Sequence, residues 1–139
     1  MRTSLLVAFA LTMSVLGCQS TAAPSANTAT NATTPLPTPL ATAAEHVRGF
    51  TTHIDDAGVN AAFSTQFLAS VPREKIKAMF VELGPQVGAC TAVEPIRIES
   101  DNAGSVRIVC ATALIKLKIA TQPAAPYLMD GLLVEAKPR

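Results

Sequence analysis

Ile96-Arg97-Ile98-Glu99-Ser100-Asp101-Asn102-Ala103-Gly104-Ser105-Val106-Arg107-Ile108-Val109-Cys110 is the stretch that decides the fold of this 139-residue chain. Ile96 and Ile98 alternate with Arg97 and Glu99, and Val106, Ile108 and Cys110 then alternate around Arg107. A half-buried strand has this period of two because successive side chains point to opposite faces of the sheet. Asp101-Asn102-Ala103-Gly104 supplies turn chemistry between the halves, so the stretch reads as a β-hairpin.

The pattern continues toward the C-terminus. Ile115, Leu117 and Ile119 alternate with Lys116 and Lys118, a third strand with one wet face on which the two lysines keep the sheet soluble. Apolar parity slips by one between Cys110 and Ile115, which requires a tight turn or bulge near Ala111-Thr112-Ala113. Pro123 and Pro126 punctuate a loop, and residues 128–136 read as a last strand with Leu132 and Val134 inward.

Before Cys90 the period is helical. Ser70-Val71-Pro72 has the composition of a helix start, and Ile76, Met79, Phe80, Leu83 and Val87 then mark one apolar face. Gly84-Pro85 should bend or end that helix, with Gly88 a second stop. Upstream, Val47, Phe50 and Ile54 predict a helix over residues 43–54, followed by a turn at Asp55-Asp56-Ala57-Gly58. Asn60 can cap a short helical piece presenting Phe63 and Phe67 one turn apart. Helices first and a meander second predict an α+β domain over residues 45–139, with N-terminal helices packed on a curved four-stranded antiparallel sheet.

The N-terminus reads differently. Residues 5–16 form a short apolar run after Arg2, and Val15-Leu16-Gly17-Cys18 closes it. About a dozen residues fall short of the roughly 18 to 20 that span a bilayer as a helix, and the pattern suits a cleaved secretion signal. The four closing residues resemble the lipobox of bacterial lipoproteins. That resemblance implies a signal peptide over residues 1–17, acylation (palmitate among the chains) at Cys18, and membrane attachment through it. Gln19 in place of an acidic residue implies sorting to the outer membrane, with the domain facing the periplasm. Residues 18–44 carry no charge and include Pro24, Pro35, Pro37 and Pro39. They read as the lipidated cysteine and a disordered Ala/Thr/Pro-rich tether, since so little can be buried against the ordering entropy.

An exported domain in an oxidising compartment favours pairing of Cys90 with Cys110, its two remaining cysteines. Neither histidine lies near them and no Cys-x-x-Cys spacing occurs, so the sequence presents no catalytic thiol. His46 and His53 lie seven residues apart, about 10.5 Å of helical rise, too far to share one ion. Further His or Cys ligands are lacking, so no metal site and no cofactor is predicted. Ten Lys and Arg balance ten Asp and Glu after residue 44. There is no basic stripe, no Trp and one Tyr, which argues against nucleic-acid partners.

Phe63-Ser64, Phe67-Leu68, Val71-Pro72, Leu83-Gly84-Pro85, Cys90, Cys110 and Asp130-Gly131-Leu132-Leu133-Val134 together resemble a known module. It is the cystatin-like or nuclear-transport-factor-like domain that precedes the catalytic domain in exported serine hydrolases related to β-lactamases. In those proteins the nucleophile lies in the following domain, so the resemblance transfers no catalytic residue. It implies an accessory or binding module of the cell envelope, without enzymatic activity, whose partner is an envelope protein such as a serine hydrolase or penicillin-binding protein. The alternative is a small hydrophobic-ligand-binding protein or enzyme with a pocket between helix and sheet, lined by Phe63, Phe67, Phe80 and Tyr127.

Overall fold

The computed structural model describes residues 35–139. Four helices precede four strands: α1 Thr38–Phe50, α2 Asp56–Ala62, α3 Thr65–Ser70, α4 Arg73–Val87, then β1 Cys90–Ser100, β2 Ala103–Cys110, β3 Ala113–Thr121 and β4 Met129–Pro138. The strands form one antiparallel sheet in the order β1-β2-β3-β4. This is the α+β arrangement that the change of period predicts, helices first and a meander second. Signal peptide, Cys18 and most of the expected tether lie outside the described residues.

One sheet face is apolar across its middle strands. Val106 opposes Leu117, Ile108 opposes Ile115, and Gly104 opposes Ile119. The isoleucines, leucine and valine of these rows are all buried. Each such side chain contributes about 1.5 to 3 kcal/mol when fully removed from water. Helix α1 covers this face, lying over β1, β2 and β3 with Leu40, Ala43, Ala44 and Val47 buried beneath it. Gly104 permits the close fit, because a Cβ there would approach the Arg97 carbonyl oxygen to 2.8 Å and Leu40 Cδ1 to 3.2 Å. The parity slip after Cys110 is a tight turn at Ala111-Thr112, after which Ala113 and Ile115 are buried.

The start of the domain differs from the sequence reading. Pro35, Pro37 and Pro39 suggested a tether as far as residue 44, yet α1 begins at Thr38 and Leu36 already packs on the core. The reason is positional: first-turn amides have no intrahelical acceptor, so proline loses nothing there and its fixed φ suits the helix. The helix also stops earlier than expected, at Phe50, with Thr51 as its C-cap, where Gly49 and the Thr51-Thr52 pair weaken it.

Other ends are corrected similarly. Asp55, not Asn60, caps α2, its Oδ1 accepting from the Gly58 amide at 2.7 Å. Ser70 closes α3 instead of capping α4, whose N-cap is Pro72 without a side-chain bond. Helix α4 runs through Gly84 and Pro85 and stops at Gly88, where φ is 70° and glycine avoids the strain a Cβ would bring. Pro85 sits in the last turn and removes one helix bond, at the carbonyl of exposed Val81. Gly84 has a different role: α4 crosses the end of α1 so closely that a Cβ there would lie inside contact distance of the Thr51 carbonyl oxygen. In β1 the register shifts between Pro95 and Arg97, and Ile96 is left 48% exposed. The bulge consumes one residue, so Ile96 and Ile98 do not share a face as simple alternation predicts.

Two glycine substitutions should therefore act in opposite directions. Gly84→Ala should destabilise the domain by about 2 kcal/mol, because a backbone carbonyl cannot move aside as a flexible side chain can. Gly49→Ala, where nothing lies within 4 Å of an added Cβ, should leave stability unchanged or raise it by about 0.5 to 1 kcal/mol. Urea midpoints of the two variants check this, and a tolerated Gly84→Ala would contradict the described crossing.

Candidate functional site

Phe63 and Phe67 are brought together, although not on one helix. Phe63 closes α2, and Ser64 caps α3 by accepting from the Phe67 amide at 3.1 Å. The two rings stack at 4.9 Å with planes 14° apart. Phe80 does not meet them directly: it is buried against Phe50 with ring centroids 5.4 Å apart, and Phe50 in turn stacks on Phe63 at 6.1 Å. It borders a cleft of about 370 Å³ beside His53 and Gly84. Tyr127 lies in the β3–β4 loop, where it borders a third cleft with Pro37, Pro39 and Asn102. The four aromatics therefore do not line one pocket between helix and sheet. The region they were expected to surround is occupied by Leu40, Val47, Val106 and Leu117, each fully buried.

The structure presents an open apolar groove of about 300 Å³ between β4 and the segment running from α3 into α4. Its deep side is Phe63 and Ile76, both buried. Phe67, Val71 and Met79 line the helical side, Leu132, Leu133 and Val134 the strand side, and Lys75 is its one charged residue. The groove exists because the sheet is wider than its covering helix. Helix α1 reaches β1 to β3, while β4 is met by α3, and Phe63 bridges to Met129 with the Ser64 amide donating to the Met129 carbonyl at 3.0 Å. Leu132 and Val134 are consequently only half-buried. Met79 and Leu133 are exposed large apolar residues, at 38% and 56%.

Neither Met79 nor Leu133 stands out in the sequence as a site residue. Met79 fits the buried face by periodicity and lies at its margin in space. Leu133 did carry a signal, being an apolar residue at an outward position between inward Leu132 and Val134.

The sulfur atoms of Cys90 and Cys110 form a disulfide between directly opposed residues of β1 and β2. It joins the hairpin's open end beside the close of α1, where the Arg48 guanidinium donates to the Cys90 carbonyl at 3.5 Å. His46 lies against Phe50, whereas His53 falls beyond the end of α1 with Nε2 3.7 Å from an Asp55 carboxylate oxygen. The two histidines thus do not share a helix. Lys116 and Lys118 are exposed on the outer sheet face, where Arg107 pairs with Glu94 and Lys116 lies 4.0 Å from Glu135. Among the described residues no group of three His, Cys, Asp or Glu is placed to hold a metal ion.

Electrostatic perturbation lies away from the groove. Lys77 of α4 reaches Asp56 at the first turn of α2, with Nζ 2.6 Å from Oδ1. Their hydrogen bond, reinforced by the opposite charges, lowers the Asp56 carboxyl from its ordinary 3.8 and raises the Lys77 ammonium from 10.5. The pair fastens two helices and leaves the groove electrically quiet, so its chemistry is that of apolar contact beside a single ammonium group.

Comparison with family models, with curated proteins and with solved structures finds no match to this chain.

Breaking the disulfide should cost about 3 kcal/mol, the chain-entropy expectation for a loop of about 20 residues. Unfolding with and without reductant measures it, and identical midpoints would contradict that role. The Asp56–Lys77 pair has a pH signature. The lowered Asp56 contribution is complete above 3.8 and disappears as pH falls through the folded value, while the raised Lys77 contribution is complete below 10.5 and disappears above it. The small stability difference between the unaltered chain and Lys77→Met should thus persist at neutral pH and shrink at both extremes. A pH-independent difference would show that the pair is not formed.

Proposed function

We propose that this chain is a lipid-anchored envelope protein whose folded domain is a non-enzymatic binding or accessory module. Its docking surface is the groove between β4 and the α3–α4 segment. The carrying observation is the groove itself: Phe67, Val71, Met79 and Leu132 remain accessible over a floor of Phe63 and Ile76. Stable interfaces centre on such apolar anchors, and a contiguous exposed apolar patch at the surface of a small domain marks an interaction site. The anchor is the acylated Cys18, sorted to the outer membrane with the domain facing the periplasm. At least two acyl chains give a stable attachment, since each buried methylene contributes about 0.8 kcal/mol.

The finer fold assignment belongs to the same reading. One long helix laid over a β1-β2-β3-β4 meander supports a cystatin-like or nuclear-transport-factor-like domain. The resemblance to the accessory domains of exported serine hydrolases then makes a penicillin-binding protein or serine hydrolase the expected partner. Binding of a small hydrophobic ligand is the second reading, and the same groove favours it: about 300 Å³ lies at the lower end of ordinary ligand sites.

Affinity capture from crosslinked envelopes should recover one such enzyme with the unaltered chain. Met79→Glu should lose it while shifting unfolding by no more than about 0.5 kcal/mol, as for other exposed substitutions. Cys18→Ala should release the protein from membranes and lose the same partner. Retention of the partner by Met79→Glu would move docking away from the groove, and membrane retention of Cys18→Ala would remove the anchor.

A further inference from the structure

The outer face of the sheet, away from the helices, combines cations with exposed aliphatic side chains. Lys116 and Lys118 alternate with the buried Ile115, Leu117 and Ile119, and the residues paired with the two lysines, Arg107, Ser105, Glu135 and Leu133, share their side of the sheet. Arg97 extends one row through Ser105, and Lys137 stands opposite Leu114. Ile96 and Leu133, both exposed, border one shallow cleft of about 290 Å³ on this face together with Arg97, Lys116 and Lys118.

Charge is segregated between the two sides of the domain. On the outer face five cations, Arg97, Arg107, Lys116, Lys118 and Lys137, stand against three anions, Glu94, Glu99 and Glu135. Since Lys and Arg balance Asp and Glu after residue 44, the rest of the domain carries the opposite excess. Glu94 is taken up by Arg107, and Glu135 lies beside Lys116. Arg97 and Lys118 flank Ser105 from the neighbouring strands and form no ion pair among the described residues. Such a face suits an anionic lipid surface: phosphate groups meet the cations, the aliphatic tips enter the headgroup boundary, and the lysine stems lie along it.

We propose that the outer sheet face rests on the anionic surface of the membrane that holds the chain. From the lipid-anchor reading it takes one premise, the nearness of that membrane. Residues 19–34 join Cys18 to the described domain and reach at most about 60 Å fully extended. Pro37 and Pro39 border Asp101 and Asn102 at the β1–β2 turn. The chain thus enters the domain at the end of the sheet where Arg97, Ser105, Lys118 and Leu133 form the second row from that turn. Tethering raises the local lipid concentration, so a contact too weak to recruit a free domain can still orient this one. Resting on this face turns the helical layer away from lipid and leaves the groove between β4 and the α3–α4 segment open to a partner.

The test uses the purified full chain with vesicles of phosphatidylcholine alone or of phosphatidylcholine with phosphatidylglycerol. An environment-sensitive fluorescent side chain is placed at position 133 or, as the control, at position 81, which is exposed away from this face. Emission from 133 should shift to the blue only where phosphatidylglycerol is present. The shift should vanish in about 1 M salt, where the Debye length falls to about 3 Å. Position 81 should show none. Lys118→Gln should weaken the surface contact about fivefold, the share of one cation near such a surface, with an unchanged unfolding midpoint. An unshifted 133, an equal shift at 81, or a shift indifferent to phosphatidylglycerol or to Lys118→Gln overturns the proposal. A discrete protein crosslink from a photoreactive side chain at 133 would give the face to a protein and overturn it too. Flotation of the same samples separates this proposal from the anchor. A chain that floats with phosphatidylcholine vesicles while 133 stays unshifted keeps the anchor and loses the lipid-facing surface. One that floats only with phosphatidylglycerol, in a salt-sensitive way and with the shift at 133, keeps the surface and loses the anchor.

Discussion

The structure depends on covering one face of a four-stranded sheet with too little helix. The buried rows of β2 and β3 must be kept from water, and α1 does this with Leu40, Ala43, Ala44 and Val47. One helix about 10 Å across spans roughly two to three strands at 4.8 Å spacing. The fourth strand therefore needs a separate cover, which the short α3 and the first turns of α4 supply incompletely. The groove follows from that shortfall, and so does the exposure of Met79 at its margin.

The same constraint explains where tight tolerances fall. Gly104 lets α1 settle onto the sheet, and Gly84 lets α4 pass close to the end of α1. The disulfide holds the hairpin's open end beside α1, and Asp56–Lys77 ties α2 to α4. These contacts fix the helical layer over β1 to β3. None of them crosses the groove, which is bounded instead by apolar side chains that a partner can meet without breaking an ion pair.

Much of the fold was legible because its period is simple. The alternation from Val106 to Ile119 specified strands and their faces, and residues 128–136 nearly matched β4. The failures have physical causes. Prolines at 37 and 39 read as breakers, whereas at a helix start they are compatible with the missing first-turn bonds. Ile96 was misplaced because a bulge is a matter of pairing, which one strand's sequence does not record. The four aromatics were grouped by chemical type, but Phe80 turns toward Phe50 and Tyr127 follows a loop, so only Phe63 and Phe67 meet. Which elements border a groove is decided by the relative widths of helix and sheet, a property of the assembled layers.

Site-specific photo-crosslinking in living cells tests the docking surface most directly. Among the described residues four large apolar side chains are exposed: Met79 at the groove, Val81 away from it, and Ile96 and Leu133 together on the outer sheet face beside Lys116 and Lys118. A photoreactive side chain at 79, 81 and 96 in turn samples surfaces of similar chemistry and different location. Discrete crosslinked products are expected from position 79 and none from 81 and 96. Products of equal yield from all three, or only from 81 and 96, would contradict the docking surface.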